Sequence, residues 1–158
     1  MRLSGAKELA ENEYPLYPPV PNGGEQNNPN TLTPKMLKSI FIVGIGSFIG
    51  GAIRYIISTL MKSPSNTFLP WGTLTVNLLG CFLIGIIYAL FAKHTNTASP
   101  LFLLLTTGFC GGFTTFSTFA NESLQMLQHG NIGSFIAYAS LSLIAGLALV
   151  ALGYWIIK

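Results

Sequence analysis

The stretch GFCGGFTTFSTF, residues 108–119, decides how the chain is organised. It lies inside a long apolar segment, yet its twelve positions hold three glycines, three threonines, one serine and four phenylalanines. Each glycine in a helix interior costs roughly 1 kcal/mol relative to alanine. The stretch therefore predicts a helix that is interrupted at its glycines, and it raises the question of what the polar residues there contact.

The composition of the whole chain indicates a membrane protein. Half of the 158 residues are hydrophobic and only 8% are charged, whereas a soluble domain has about 25% charged residues. So few charges cannot cover a surface that faces water, and lipid must be the main solvent. The net charge of +3 comes from scattered basic residues, which argues against a nucleic-acid partner.

Residues 1–34 differ from the rest of the chain. They hold four of the five acidic residues and the polar run NGGEQNNPN. Such a segment cannot bury enough apolar surface to offset its ordering entropy. We predict a disordered N-terminal tail over residues 1–34 and a membrane domain over residues 35–158. The tail lacks the apolar stretch of a secretory signal.

Four apolar segments follow the tail, and each is long enough to cross a bilayer, which takes about 20 residues as a helix. They predict an all-α bundle of four transmembrane helices in the cell (inner) membrane. The segments are Ile40–Leu60, Leu74–Phe91, a third from Pro100 to about Leu127, and Phe135–Ile157.

The basic residues near the segment ends favour a cytoplasmic N-terminus. Lys35, Lys38, Lys93 and Lys158 would share one side of the membrane, with Lys62 on the other side. An excess of lysine and arginine marks the cytoplasmic side.

Two polar side chains stand out in the first two segments. Arg54 either anchors an ion, in a functional or a structural role, or extends toward the interface. Asn77 either forms a hydrogen bond between helices or directs its amide donors at an anion. Gly46, Gly50 and Gly51 indicate close packing of the first helix against a neighbour.

Three stripes emerge in the third segment if residues from 113 onward form a regular helix. An aromatic stripe beside two polar stripes predicts a face that lines a pore. The stripes are Phe113, Phe116 and Phe119; Thr114, Ser117 and Asn121; and Thr115, Thr118 and Glu122.

The predicted break has a chemical consequence. Carbonyl groups released from a helix inside the membrane must be satisfied by protein, water or an ion. Oxygen ligands suit a hard cation such as Na⁺. Aromatic ring edges are positive, so ring edges together with hydroxyl and amide donors suit a small, strongly hydrated anion.

These motifs resemble those of the Fluc (CrcB) fluoride-channel family. The opening stretch, followed by ANE, is similar to the family's third helix, and GGAIRY (residues 50–55) and GTLTVNLLGCFLIG (residues 72–85) add support. The resemblance covers about residues 38–157. It implies a channel through which cytoplasmic fluoride leaves the cell passively, which lowers its toxicity.

The resemblance also implies an assembly. Family subunits insert in both orientations and pair as antiparallel homodimers with two fluoride pathways and a structural Na⁺ on the two-fold axis. The lysine bias leaves an oppositely oriented paralogue open as the partner. By motif, the main-chain carbonyls of Gly111 and Thr114 would bind Na⁺.

The remaining site residues are also assigned by resemblance. Asn77 would donate to fluoride, and Phe116 and Phe119 would present their ring edges along the pathway. Other members of the pathway would be Ser117, Thr118 and, matched by distance alone, Tyr138. Arg54 would lie at the vestibule and Glu122 at the far end of the hydroxyl track.

Two other functions compete with this interpretation. A proton-coupled exporter of the small multidrug resistance type also has four helices, but its carboxylate is expected in the first helix, where this chain has Arg54. An accessory subunit without transport would not need the polar stripes. An enzyme is not expected, because His94 and His129 lie at segment ends and no nucleophile, base and acid set accompanies them.

Overall fold

The computed structural model describes residues 33–61, 69–93 and 99–158. The predicted tail therefore lies outside the described residues except for Thr33 and Pro34, and Lys62 and His94 also lie outside them. The described residues form helices and no strand. The bounds are α1 Pro34–Leu60, α2 Trp71–Lys93, α3 Pro100–Leu103, a π-helix Leu104–Cys110, α4 Gly111–Phe113, α5 Phe116–Gln128 and α6 Ile132–Ile157.

The predicted all-α class and its four spans are confirmed. Helical segments over Pro34–Leu60, Trp71–Lys93, Pro100–Gln128 and Ile132–Ile157 are long and apolar enough to cross a bilayer. We call Pro100–Gln128 the third segment; it contains α3, the π-helix, α4 and α5. The chain is a multi-pass membrane protein.

Hydroxyl caps set the first residues of two helices, and one of them, α1, begins earlier than the apolar pattern predicts. The Thr33 side chain accepts from the Met36 amide at 3.3 Å, and Pro34 occupies the first turn. Ser99 caps α3 in the same way, through the Phe102 amide at 3.1 Å. Proline suits the first helical position because its missing N–H has no partner there. α1 thus begins at the last residue of the predicted tail.

Large apolar side chains cover the outer faces of the helices. Phe41, Phe48 and Trp155 are each more than 70% exposed, which in water would be a large apolar patch. The interior is small by comparison. One buried cluster joins Leu74 and Tyr138, and a second joins Phe102 and Cys110. Lipid is the solvent that fits such a surface.

The interruption of the third segment falls at Thr114 and Thr115, and the predicted position at the glycines is wrong. Thr114 and Thr115 are extended, with φ/ψ of −84°/158° and −148°/112°. Gly111 has helical angles of −63° and −37°, and Gly108 lies within the π-helix. The three predicted stripes are corrected accordingly. Phe113 belongs to α4 and is 3% exposed, so it does not continue the face of Phe116 and Phe119.

The glycines serve packing against α1. A Cβ on Gly46 would lie 2.5 Å from the Leu104 carbonyl oxygen, and a Cβ on Gly50 would overlap the carbonyl oxygen of Phe109. On the facing side, a Cβ on Gly112 would lie 2.5 Å from the carbonyl oxygen of Ser47. The two backbones are in direct contact, as predicted from the small residues of α1. The glycine pattern therefore fixes the distance between helices, and a different pair of residues breaks the helix.

We expect Gly50→Ala to destabilise the protein by about 1–3 kcal/mol, because the added methyl must displace backbone atoms of the π-helix. Gly44→Ala is the matched control in the same helix, since a Cβ there meets nothing within 4 Å. That substitution should be neutral or slightly stabilising. The free energy of unfolding in mixed detergent micelles measures both. Equal stability of the two variants would contradict the close contact.

Candidate functional site

Asn77 of α2 holds the interruption together. Its Oδ1 accepts from the Thr115 amide at 2.8 Å, and its Nδ2 donates to the Thr115 carbonyl at 3.1 Å. The Asn77 side-chain amide thus replaces the two partners that the amide and the carbonyl of Thr115 would have in a continuous helix. The predicted hydrogen bond between helices is confirmed. Nδ2 carries two hydrogens, and the second remains for another acceptor.

α1 supplies donors to carbonyl groups of the third segment. The Arg54 Nε donates to the Gly112 carbonyl at 3.1 Å. Two turns earlier in α1, the Ser47 hydroxyl donates to the Gly108 carbonyl at 3.3 Å, one turn before Gly112 in the third segment. This bond holds the Arg54 side chain against the third segment, and it tests neither of the two predicted roles, anchoring an ion or extending toward the interface. Ser47 was not among the predicted residues, although it lies two turns before Arg54 on the same face of the helix.

The carbonyl groups of Gly111 and Thr114 lie outside the regular helical ladder. In an α-helix the Gly111 carbonyl would accept from the Thr115 amide, which donates to Asn77 instead. The Thr114 amide donates to the Cys110 carbonyl at 3.0 Å, and the Thr114 hydroxyl donates to the same oxygen at 2.9 Å. Thr115 caps α5, so the Thr114 carbonyl precedes the first helical acceptor of α5. Both carbonyls are free of intrahelical donors.

The phenylalanine pair of α5 borders a groove. Phe116 and Phe119 have ring centroids 5.7 Å apart, and the Phe119 ring lies 4.9 Å from that of Tyr138. Phe116 is 78% exposed, whereas Phe119 packs against the buried cluster of Leu74 and Tyr138. The two rings lie on a shared face, as predicted. The Phe119 ring is packed against its neighbours, and the Phe116 ring is exposed.

A carboxylate between two hydroxyl donors lies at the other side of the interruption. Glu122 accepts from the Thr73 hydroxyl at 2.7 Å through Oε1 and from the Tyr138 hydroxyl at 2.8 Å through Oε2. Tyr138 is fully buried. Glu122 and Tyr138 were among the site residues predicted from the sequence, and Thr73 was not. The spacing of four residues between Thr73 and Asn77 places both on one helical face and was the signal for it.

The hydroxyl groups of the interruption form a short network. The Thr115 hydroxyl shares a hydrogen bond with the Thr118 hydroxyl at 2.9 Å and with the Ser117 hydroxyl at 3.3 Å. It also accepts from the Thr118 amide as the cap of α5. Thr115 thus connects the hydroxyls of Ser117 and Thr118 to Asn77.

Two cavities meet at Thr115. The first, about 700 Å³, contains Arg54, Thr73, Thr118 and Glu122 in its wall. The second is a groove of about 520 Å³ beside the two phenylalanines, and Thr115 lines both. The wall of the 520 Å³ groove contains most of the residues that are predicted to contact an ion. These are Asn77, Gly111, Thr114, Phe116 and Phe119.

The groove also contains a residue that the sequence did not indicate. The Ser142 Oγ of α6 is buried, lines the groove and has no hydrogen-bond partner among the residues that the structure describes. Because a buried hydroxyl without a partner is costly, this group is available to a ligand in the groove. A serine in a long apolar helix is common, and no sequence feature distinguished Ser142 from its neighbours.

The donor set limits the chemistry. Across residues 33–61, 69–93 and 99–158, no group of three or more His, Cys, Asp or Glu side chains is placed to hold a metal ion. A cation at this site would depend on carbonyl oxygens, and an anion on N–H, O–H and ring-edge donors. The arrangement suits the binding and passage of small ions.

Comparison with known proteins agrees with the motifs. The family model of CrcB-like proteins (camphor resistance, CrcB) matches residues 41–154. A protein of Phocaeicola vulgatus named fluoride-specific ion channel FluC is 44% identical over 120 residues, which cover 75% of this chain and 98% of the relative. A protein of the same name from Leptospira interrogans is 44% identical over 121 residues, covering 77% and 95% of the two chains.

A third relative with that name, from Escherichia coli K12, is 40% identical over 121 residues, which cover 77% of this chain and 94% of the relative. The matched family residues include α2, the third segment and most of α1 and α6. The match thus contains the interruption, the Asn77 amide and both cavities. The chain belongs to the CrcB family.

Proposed function

We propose that the chain forms a fluoride-selective channel through which cytoplasmic fluoride leaves the cell passively. The observation that carries the proposal is the path of hydrogen donors that passes from one cavity to the other across Thr115. The relatives described above carry the name fluoride-specific ion channel, which supports the same function.

The proposed pathway suits a small anion that must exchange its water for protein donors. From the groove, fluoride would meet the positive ring edges of Phe116 and Phe119 and the second amide hydrogen of Asn77. Ser117 and Thr118 would follow as hydroxyl donors. At the far end, the Glu122 carboxylate is occupied by two O–H donors, so its charge is partly compensated before an anion arrives.

A second copy of the chain would complete the pathway. Phe116 is 78% exposed and lines the groove. We propose an antiparallel homodimer, inserted in both orientations, whose partner covers this groove. A two-fold axis duplicates each site, which gives two pathways.

We further propose a structural Na⁺ on that axis. Thr114 is the middle residue of the third segment, Pro100–Gln128, so the free carbonyls of Gly111 and Thr114 would lie near the centre of the bilayer. One chain offers two such oxygens, and a two-fold axis doubles the number around one ion. A cation held by carbonyl dipoles would place positive charge between the two anion pathways and fix the interrupted helices against each other.

Passive export needs only the membrane potential. Fluoride enters cells as neutral HF and ionises at the higher internal pH, and an inside-negative potential then drives the anion outward. The driving force is about 2.3 kcal/mol per elementary charge per 100 mV. A proton-coupled exporter of the multidrug type is less well supported, since α1 carries Arg54, which is bonded to Gly112, in place of a carboxylate.

The direct experiment is efflux from proteoliposomes loaded with fluoride or with chloride. We expect rapid fluoride efflux that follows an applied potential, with chloride retained. Fluoride movement that requires a proton gradient would support the exporter instead. Equal loss of both anions would rule out a selective channel.

Asn77→Asp should abolish fluoride efflux. The carboxylate loses the donor to the Thr115 carbonyl and adds negative charge to the pathway. An unpaired buried carbonyl should also cost about 1–3 kcal/mol of stability, so elution of the variant by size is checked first. Gln128→Glu makes the same chemical change at an exposed helix end and serves as the control. Parental efflux from the folded Asp variant would restrict Asn77 to packing.

Phe116→Ile and Phe119→Ile should each lower fluoride efflux about tenfold or more, because isoleucine keeps apolar volume and removes a ring edge whose loss is worth about 1.4 kcal/mol. Phe48→Ile is the matched control, because Phe48 and Phe116 are both 78% exposed and Phe48 lies on α1. Fluoride efflux is measured with a fluoride electrode, and in the Phe48→Ile control its rate should equal that of the parent. The ring-edge mechanism fails if all three variants conduct alike.

The Na⁺ proposal predicts a difference between two neighbouring substitutions. Thr114→Ser keeps the carbonyl and should be mild. Gly111→Val should be severe for efflux, yet mild for the folding of one chain, since a Cβ there meets only the Thr106 carbonyl oxygen, at 3.9 Å. Exchange of Na⁺ for a bulky organic cation should also stop efflux. Full efflux after verified removal of the ion would remove the Na⁺ from the mechanism.

A further inference from the structure

The first cavity has room for a ligand much larger than a fluoride ion. Its volume is about 700 Å³, and its wall combines polar groups with apolar side chains of α1, α2 and α5. Cavities of about 300–1,000 Å³ with an apolar lining and a few converging polar groups are typical sites for small organic molecules. The passage of a small ion does not account for such a volume.

Arg54 brings hydrogen-bond donors into the cavity wall. Its Nε donates to the Gly112 carbonyl at 3.1 Å, and this bond is the one that joins it to the part of the chain that the structure describes. A guanidinium carries five N–H donors in a planar fork, so four remain on the two terminal nitrogens. The Nε bond holds the group against the third segment, which leaves these four donors to a ligand.

The acidic side chain of the same wall is already engaged. Glu122 is the one acidic residue among the described residues. Its Oε1 accepts from the Thr73 hydroxyl at 2.7 Å and its Oε2 from the Tyr138 hydroxyl at 2.8 Å. Each carboxylate oxygen therefore has a donor, whereas the terminal nitrogens of Arg54 offer donors that need an acceptor. The cavity thus favours a ligand with an anionic head group.

Apolar side chains form the rest of the wall. Leu69 and Met126 line the cavity and belong to the same packed cluster. Trp71 also lines it and begins α2 close to α1, since a Cβ on the following Gly72 would lie 3.1 Å from the Cα of Ser58. Ser58 is one turn after the arginine on the same helical face. The guanidinium and the apolar side chains therefore belong to one continuous wall.

We propose that this cavity binds an aromatic carboxylate, with the carboxylate on the free N–H groups of Arg54 and the ring against Trp71 and Met126. A guanidinium fork matches a carboxylate through two parallel hydrogen bonds, and an aromatic ring packs well on an indole and a thioether. The occupant would lie at the Glu122 end of the proposed fluoride pathway and obstruct it. Only that consequence rests on the proposed function.

Tryptophan fluorescence of the purified full-length protein tests the site without any measurement of ion flow. The chain has two tryptophans. Trp71 lies in the cavity wall, whereas Trp155 is near the end of α6 and 73% exposed. Trp155→Phe leaves Trp71 as the reporter, and Trp71→Phe leaves Trp155 as the matched control. The probe is para-iodobenzoate, because its iodine quenches indole emission on contact.

We expect the quenching of Trp71 to saturate with para-iodobenzoate and that of Trp155 to rise only linearly, as for random collisions. The same ring with a neutral head group, para-iodobenzamide, should need about tenfold or more higher concentration, because it loses the charge-assisted hydrogen bonds. The cationic para-iodobenzylamine should not saturate. Linear quenching of Trp71, equal saturation by the benzamide, or tighter binding of the amine would each overturn the carboxylate site.

Arg54→Gln, made in the Trp155→Phe background, tests the assigned head-group contact. The benzoate should bind about tenfold or more weakly to this variant, whereas the benzamide should bind as before, because both rings use the same apolar wall. Elution by size shows whether the variant folds, and the comparison of the three head groups decides the proposal without it. An equal loss for both ligands, or no loss for either, would contradict the role of Arg54.

Discussion

The bond pair between the Asn77 side chain and the Thr115 backbone is the constraint on which the rest of the site depends. An extended residue within a membrane segment leaves an amide and a carbonyl that lipid cannot satisfy. One side-chain amide satisfies both, at 2.8 and 3.1 Å. With the interruption fixed in this way, a new helix begins at Phe116, and the carbonyls of Gly111 and Thr114 lie outside the helical ladder.

α1 and α6 complete the support from the other two sides. Arg54 and Ser47 donate to carbonyls of the third segment on one side. On the other side, Tyr138 of α6 donates to Glu122 and also packs against Phe119. The polar groups are therefore held by neighbours on three different helices. A fully satisfied buried polar network rigidifies the structure around it, and here α1, α2 and α6 each supply part of that network.

Much of this arrangement could be predicted from the sequence, and the misses have physical causes. Segment length and composition were sufficient for four helices, and the spacing of Phe116 and Phe119 for their common face. The break was misplaced because glycine lowers helix propensity yet also permits close packing, and tertiary contact with α1 decided in favour of packing. The helix is interrupted at this point because the Thr115 amide and carbonyl bond to the Asn77 side chain in place of their own helix. The spacing of Thr73 and Asn77 could place Thr73 on the face of the site, but its contact with Glu122 joins distant parts of the chain, so no local pattern identifies that partner.

The interruption also constrains how the protein is made. A nascent third segment that entered the bilayer alone would carry the unpaired Thr115 amide and carbonyl into hydrocarbon, and α2 alone would carry an unpaired Asn77 side chain. Insertion of the two together as a helical hairpin joins these groups before either meets lipid. The six residues that separate Lys93 from Pro100 are a connection of the length usual between antiparallel helices. Biogenesis of the chain would then proceed with α2 and the third segment as one cotranslational unit.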